Sequence, residues 1–158
     1  MNKISIIMGS QSDMETVIET IKVLKEFKAA FEVKVLSAHR TPKELAVYVE
    51  AAPRKGIKLF IAAAGGAAAL AGVIAAHTTL PVIGIPIETK SLKGMDSLLS
   101  TVQMPGGIPV ASMSIGKAGA KNAALFALEI LGVTDKKIQV RLLKYKKDMR
   151  LKIKKIKL

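Results

Sequence analysis

Short apolar runs alternate with helix-length amphipathic segments along the chain, and this alternation limits the possible folds more than any other feature. Five runs have the length and composition of buried strands, namely residues 4–8, 31–36, 59–62, 82–87 and 110–115. Helical patterns lie between and after them, at residues 12–28, 42–55, 67–77, 94–103 and 117–131. Strands that alternate with helices form a parallel sheet covered on both faces. Right-handed crossovers then predict a three-layer α/β/α sandwich with five parallel strands.

The length of 158 residues is typical of one domain of this class. We predict a single α/β domain over residues 1–135, followed by a basic C-terminal helix and tail over residues 136–158. Half of the residues are hydrophobic, which is enough for a packed core and excludes disorder for most of the chain. Gly132 is predicted to stop the fifth helix, and Thr134 with Asp135 to cap the last one.

The composition excludes several kinds of site. The chain has no cysteine, which excludes disulfides, iron–sulfur clusters and thiol nucleophiles. Two histidines without cysteine also argue against zinc, so we expect no metal. The first residues lack a signal-peptide pattern, and no stretch reaches the ~20 apolar residues of a membrane span. We therefore expect a cytoplasmic protein that does not associate with a membrane.

The net charge of +13 is concentrated near the end of the chain. Residues 136–158 carry 11 Lys and Arg against Asp148 alone, whereas residues 1–135 have a net charge of +3. One apolar stripe runs along the predicted last helix, formed by Ile138, Leu142, Tyr145 and Met149. This stripe predicts a helix that docks by its apolar side and frays beyond Met149. Contact of the tail with RNA, another acidic partner or a neighbouring subunit is the alternative, but 4% aromatic residues and the lack of an RNA-binding motif argue against nucleic acid.

The loop after the first strand has features of a phosphate site. In an open parallel sheet, ligands bind beyond the carboxyl ends of the strands. Gly9 and Ser10 precede a predicted helix, and free N–H groups at a helix start attract a phosphate. Ser12 and Glu15 have the spacing of a capping box, so the same segment also has a purely structural interpretation.

The loop after the second strand carries the side chains best suited to catalysis and anion binding. Thr41, Pro42 and Glu44 predict another capping box at the start of the second helix. His39 and Arg40 remain without a structural assignment. A histidine can move protons near neutral pH, and the planar fork of an arginine can hold a phosphate or carboxylate.

The loop after the third strand consists almost entirely of glycine and alanine over residues 63–69. Such small residues let a ligand or another backbone segment approach closely. Tight packing of a helix on the sheet, or of one subunit on another, explains the same composition equally well. His77, at the end of the third helix, is interpreted as a C-terminal cap, because a cation there favours the helix dipole.

Six separated motifs carry a resemblance to a known family. They occupy residues 8–13, 37–42, 65–68, 79–86, 103–110 and 115–124. The first motif has the sequence MGSQSD and the second has the sequence SAHRTP. In this order and spacing they closely resemble the bacterial N5-carboxyaminoimidazole ribonucleotide mutases, class I type, of purine biosynthesis. The resemblance covers about residues 3–133 and implies a flavodoxin-like fold, a homo-octamer, and an isomerase without metal or organic cofactor. The implied reaction moves a carboxylate from N5 to C4 of the aminoimidazole ring, through loss and recapture of CO2.

The resemblance also implies a role for individual residues. His39 would be the general acid and base, because a proton must reach N5 and another must leave C4. Ser10 and Arg40 would hold the 5′-phosphate of the substrate. Asp13 would bind the ribose hydroxyls, and Ser37 would line the pocket for the base. The other substrate-binding residues implied by the family are Ser12, Ala64, Gly65 and Gly66.

The chain departs from the family pattern after its third strand, where Ala63, Ala69 and Ala71 replace the usual glycine, histidine and proline. The missing histidine removes a polar group beside the implied CO2 pocket, and Ala63 would be strained if its position needs a positive φ. We expect the acid–base function to survive, because His39 is present. One alternative is a carboxylase that takes free CO2, although Arg40 favours the mutase. The other is a catalytically impaired nucleotide-binding homologue.

Overall fold

A computed structural model describes residues 2–156. It contains five strands, β1 (Lys3–Met8), β2 (Ala30–Val35), β3 (Ile57–Ala64), β4 (Val82–Pro86) and β5 (Ala111–Ser112). Its α-helices are α1 (Met14–Glu26), α2 (Pro42–Ala51), α3 (Leu70–Ala76), α4 (Met95–Val102), α5 (Gly116–Gly132) and α6 (Lys136–Lys154). All the predicted elements are therefore present. Their bounds differ most in β5, which is shorter than predicted.

The five strands form one parallel sheet with the order β2-β1-β3-β4-β5. In the centre of this sheet, Ile6 of β1 pairs with Val33 on one side and with Ile61 on the other. This is the flavodoxin-like order, in which the direction of winding reverses between β1 and β3. The predicted fold class is confirmed, and the topology creates a crevice beside the carboxyl ends of these two strands.

Both faces of the sheet are covered, as a parallel sheet requires. On one face, the buried side chains of β1 and β3 pack against α2 and α3 in a cluster that includes Ile7, Leu45, Val49, Phe60, Leu70 and Ile74. Alternate residues of a strand point to opposite faces, so Ile4 and Ile6 point to the other face. These two side chains are also completely buried. A buried hydrogen bond also joins α1 to α5, because the hydroxyl of Thr20 in α1 donates to the carbonyl of Ala120 in α5 over 2.8 Å.

The chain separates into two compact units, Met1–Ala127 and Leu128–Leu158, with the boundary inside α5. In the second unit, Asp135 caps α6, and its carboxylate accepts hydrogen bonds from the backbone N–H groups of Lys137 and Ile138. This cap confirms the prediction made for the start of the last helix.

Gly132 has a different role from the predicted one. It is the last residue of α5 and has no positive φ, so the prediction that it stops the helix from the position beyond its end is wrong. A Cβ atom at Gly132 would lie 3.3 Å from the side chain of Leu142 and 3.5 Å from that of Ile138. Close packing of α6 therefore explains the glycine better than helix termination does.

The apolar stripe of α6 is only partly buried. Ile138 and Leu142 are buried, whereas Met149 is 44% exposed. The helix continues through Lys154, so the predicted fraying beyond Met149 is wrong. Among the described helices, none combines enough length with enough apolar character to cross a membrane.

Candidate active site

A pocket of about 420 Å³ lies at the carboxyl ends of β1, β2 and β3. Each strand contributes the loop that follows it, and the three loops meet where the direction of winding reverses. Open α/β sheets bind ligands at this position. The lining contains eight of the nine predicted site residues, and Gly66 is the exception.

The loop after β1 is held by a capping box two residues earlier than predicted. The Ser10 hydroxyl accepts a hydrogen bond from the backbone of Ser12, while the Asp13 carboxylate accepts one from the backbone of Ser10 at 3.1 Å. The predicted box of Ser12 and Glu15 is therefore wrong. The reason is a 3-10 turn over Gln11–Asp13, which moves the cap to Ser10. Glu15 instead forms an ion pair of 2.8 Å with Lys117.

The Asp13 carboxylate is a buried charged group on the wall of the pocket, with 8% of the residue exposed. Burial raises its pKa above the ordinary value for an aspartate. The backbone of Ser10, the hydroxyl of Ser12 and the charge of Arg40 all oppose this rise. A buried carboxylate that accepts only a few hydrogen bonds can still accept others, and the vicinal hydroxyls of a ribose supply such donors.

The loop after β2 is organised by Ser37. Its hydroxyl oxygen accepts hydrogen bonds from the backbone N–H groups of His39 at 3.3 Å and Arg40 at 3.1 Å. Both bonds use the oxygen as an acceptor, so the hydroxyl hydrogen can be donated to a ligand. Thr41 begins α2 without a side-chain cap, because its hydroxyl bonds to the backbone of Ser37 instead. The predicted capping box of Thr41 and Glu44 is therefore wrong.

The two histidines of the chain lie in different environments. His39 is exposed and lines the pocket. His77 does not line the pocket; it is the C-cap of α3, as predicted, and its Nδ1 atom lies 3.0 Å from the carboxylate of Glu50. Only His39 can therefore contact a ligand bound in the pocket.

Arg40 connects the two polar loops. Its guanidinium donates to the backbone carbonyl of Gly9 over 2.8 Å. A guanidinium has five N–H donors, so this bond orients the group and leaves donors for an anion. Among residues 2–156, Arg40 is the only lysine or arginine that lines the pocket. A phosphate bound here would therefore lie beside the start of the segment that follows β1.

The loop after β3 forms a wall with almost no polar side chains, contributed by Ala64, Gly65, Ala68, Ala69 and Leu70. Ala63 lies within β3 and has no positive φ, so the strain considered for this residue is absent. Ala69 lines the pocket at the position where the family usually has a histidine. Ala71 is buried in α3.

Gly66 belongs to the same loop but does not line the pocket, and its backbone conformation favours glycine. It has a φ of +66°, in the left-handed region that disfavours a side chain. Its N–H group donates to the hydroxyl of Ser97 in α4 over 3.0 Å. The sequence analysis did not identify Ser97, and no motif indicates that this serine lies close to the pocket.

The pocket thus combines a polar side with an apolar side. The polar side offers an arginine, a histidine, a buried carboxylate and serine hydroxyls, which can bind a phosphorylated sugar and transfer a proton. The apolar side consists of small residues that a planar ring can approach closely.

Comparison with known proteins gives a consistent result. A family profile described as AIR carboxylase matches residues 3–152, which extends the motif-based resemblance into α6. The N5-carboxyaminoimidazole ribonucleotide mutase of Pyrococcus abyssi is 55% identical over 150 residues, which are 95% of this chain and 85% of that protein. The mutase of Bacillus subtilis is 56% identical over 139 residues, covering 88% and 86% of the two chains.

The fold has close structural relatives as well. The crystal structure of Treponema denticola PurE superposes with a TM-score of 0.88 at 29% sequence identity. The match covers 97% of this chain and 94% of that one. With a family profile that matches 150 consecutive residues and relatives more than 50% identical over most of their length, the chain belongs to the AIR carboxylase family.

Proposed function

We propose that this protein is an N5-carboxyaminoimidazole ribonucleotide mutase of purine biosynthesis. The observation that carries the proposal is the pocket that brings His39, Arg40 and Asp13 together at the crevice of the sheet. Relatives that are 51–56% identical over most of the chain have this activity in their names, which supports the same assignment. The proposed enzyme is an isomerase that uses no metal or organic cofactor.

The polar side of the pocket would bind the nucleotide part of the substrate. Arg40 offers its remaining guanidinium donors to the 5′-phosphate, and the hydroxyl of Ser10 offers a further hydrogen bond. Asp13 accepts hydrogen bonds from the ribose hydroxyls. Ser37 donates its hydroxyl hydrogen to the base, and Ser12 lies beside the phosphate position. The backbone of Ala64 and Gly65 borders the ring on the apolar side, and Gly66 supports that wall.

The chemistry needs one proton transfer in each direction. When the bond from N5 to the carboxylate carbon breaks, CO2 leaves and N5 takes a proton from His39. C4 of the ring then attacks the CO2, and the neutral imidazole takes the proton that C4 loses. The histidine therefore ends in its starting state, and no external bicarbonate is consumed. The wall of glycine and alanine has no nucleophile that could trap CO2 before the ring does.

Comparison of His39→Asn with His77→Asn in an assay with freshly prepared N5-carboxyaminoimidazole ribonucleotide tests the proposal. Without added bicarbonate, the wild-type protein is expected to form the C4 carboxylate. His39→Asn should lower kcat by about 10³-fold, because asparagine cannot move the proton. His77→Asn should stay within twofold of the wild type, because this histidine lies outside the pocket.

The other outcomes of this experiment identify the alternatives. Turnover that requires bicarbonate and starts from aminoimidazole ribonucleotide would make the protein a carboxylase. Binding of the nucleotide without any turnover would indicate a catalytically impaired homologue and overturn the proposed activity. Equal losses in the two histidine variants would show that His39 has no special role.

We also propose that the protein is a homo-octamer located in the cytoplasm. An exposed apolar stripe on α4 supports self-association, with Met95 51%, Leu99 50% and Val102 48% exposed. Apolar stripes of this kind on a surface helix mark contact surfaces between proteins. Sedimentation velocity at micromolar concentration measures the assembly, and a monomer at that concentration would contradict the proposal.

A further inference from the structure

The apolar wall of the pocket has no side chains long enough to hold it in place. The segment from Ala64 to Ala69 contains only glycine and alanine, so none of its own side chains can form a hydrogen bond. Gly66 adopts a left-handed conformation, which glycine populates about as readily as several others. Something outside the segment must therefore select the observed backbone conformation.

Ser97 supplies such an anchor from another part of the chain. This residue is completely buried in α4, 31 positions from Gly66. Its hydroxyl oxygen accepts the N–H group of Gly66 at 3.0 Å, and its hydroxyl hydrogen is donated to the carbonyl of Ile87 at 2.7 Å. One buried hydroxyl thus connects the loop after β3 to the segment after β4.

The hydrogen-bond geometry makes this anchor directional. Because the hydrogen of Ser97 is used by Ile87, the oxygen can only accept from Gly66. The peptide bond is planar, so fixing the N–H group of Gly66 also fixes the carbonyl direction of Gly65, which lines the pocket. The side chains of Ile87 and Thr89 lie close to Gly65, because a Cβ built on it would be 3.5 Å and 3.6 Å from them.

We infer that Ser97 is a positioning residue of the active site, which fixes the Gly65–Gly66 peptide as the wall against which the aminoimidazole ring binds. This inference deepens the proposed function and rests on it. Ser97 does not line the pocket, and its hydroxyl bonds to the pocket loop at Gly66. Without its hydroxyl, the Gly66 N–H group would lose its hydrogen-bond acceptor, and the loop would move to satisfy it.

Thr101 provides a matched control for a test of this role. Its hydroxyl is also buried in α4 and donates to the carbonyl of Ser97 over 2.7 Å, so it forms no bond with the pocket loop. Ser97→Ala and Thr101→Val each remove one buried hydroxyl from the same helix. We expect Ser97→Ala to raise KM for the ribonucleotide at least fivefold and Thr101→Val to change it less than twofold. A loss of folded protein lowers the apparent kcat and leaves KM unchanged, so KM separates positioning from stability.

Amide hydrogen exchange provides a second and local measurement. In Ser97→Ala, the peptide that contains Gly66 should exchange at least tenfold faster, while Thr101→Val should leave its exchange unchanged. If Ser97→Ala does not fold, Ser97→Cys replaces it, because a thiol fills the site but forms weaker hydrogen bonds. Equal KM values, or unchanged exchange at Gly66, would overturn the inference. A wild-type protein without mutase turnover would instead refute the proposed function.

Discussion

The two sides of the pocket are built in opposite ways. The polar side comes from the loops after β1 and β2, whose own side chains hold their backbones through local hydrogen bonds, such as those of Ser10 and Ser37. The apolar side comes from the loop after β3, which contains only glycine and alanine before α3 and is held by a serine 31 residues away. The loops of the polar side are therefore held by hydrogen bonds from their own side chains, whereas the loop of the apolar side is held by a side chain of α4.

This difference means that the polar side of the pocket should contribute mainly to substrate affinity, whereas the apolar side should contribute mainly to the shape of the pocket. Side chains of the polar side can form hydrogen bonds and ion pairs with the substrate, so their loss should reduce affinity directly. The apolar side contributes backbone and small side chains, so its effect should depend on conformation and on remote anchors. Substitutions on the two sides are therefore expected to differ in size and in kind.

The largest effect after that of His39 is expected from Arg40→Met. Within the described part of the chain, no other lysine or arginine lines the pocket, and Arg40 also bonds to Gly9. Its loss should therefore raise KM about 100-fold with a smaller change in kcat. Lys43→Met removes the same charge three residues later, outside the lining, and should leave KM within twofold. Steady-state kinetics measures both. Similar KM values in the two variants would mean that net charge matters rather than the site.

Asp13→Asn should weaken substrate binding and stabilise the fold. Burial raises the folded-state pKa of Asp13, so the ionised carboxylate destabilises the fold at neutral pH. This cost disappears as the pH falls below the ordinary pKa of an aspartate. We therefore expect the midpoint of thermal unfolding to rise by about 2 °C at pH 7 and to match the wild type near pH 3.

The same variant should raise KM about tenfold, because an amide is a weaker acceptor for ribose hydroxyls than a carboxylate. Asp148→Asn, on an exposed position of α6, serves as the control and should change neither quantity. A lower melting midpoint for Asp13→Asn at pH 7 would contradict the assigned direction of the pKa shift.

Gly66→Ala tests the conformational dependence of the apolar side. No atom lies within 4 Å of a Cβ at Gly66, so the cost comes from its φ of +66° alone. We expect the free energy of unfolding to fall by about 1 kcal/mol and KM to rise about fivefold. Gly106→Ala is the matched control, because its surroundings are equally open and its φ is not positive. Equal losses of stability in the two variants would exclude backbone strain as the cause.

Ala69→His should have the smallest effect. The family usually has a histidine here, but the proton transfers are assigned to His39, so we expect kcat to stay within about threefold of the wild-type value. Ala67→His places the same ring on an exposed residue of this loop that does not line the pocket. A hundredfold rise in kcat for Ala69→His alone would show that the apolar side needs a polar side chain for the chemistry.

Local patterns predicted the fold and much of the pocket. The alternation of strands and helices specified the parallel sheet, and a parallel sheet places the loops after its strands at one edge. His39 and Arg40 were identifiable because no cap or core position explains them. The caps were less predictable, because several serine, threonine and acidic residues compete for the same backbone groups. The structure selects Ser10 with Asp13 at one helix and turns the Thr41 hydroxyl back to Ser37 at the next.

The sequence by itself therefore determined which elements form and which loops lie at the carboxyl edge of the sheet. It also indicated which side chains can bind an anion or move a proton, since these features are readable from residues close together in the chain. Tertiary structure alone decided the conformation of the glycine and alanine loop. The N–H group of Gly66 donates its hydrogen bond to a serine in a helix that follows the next strand, and the strand order brings the two together. A contact over such a separation has no periodicity or local spacing, so it becomes visible only when the chain is folded.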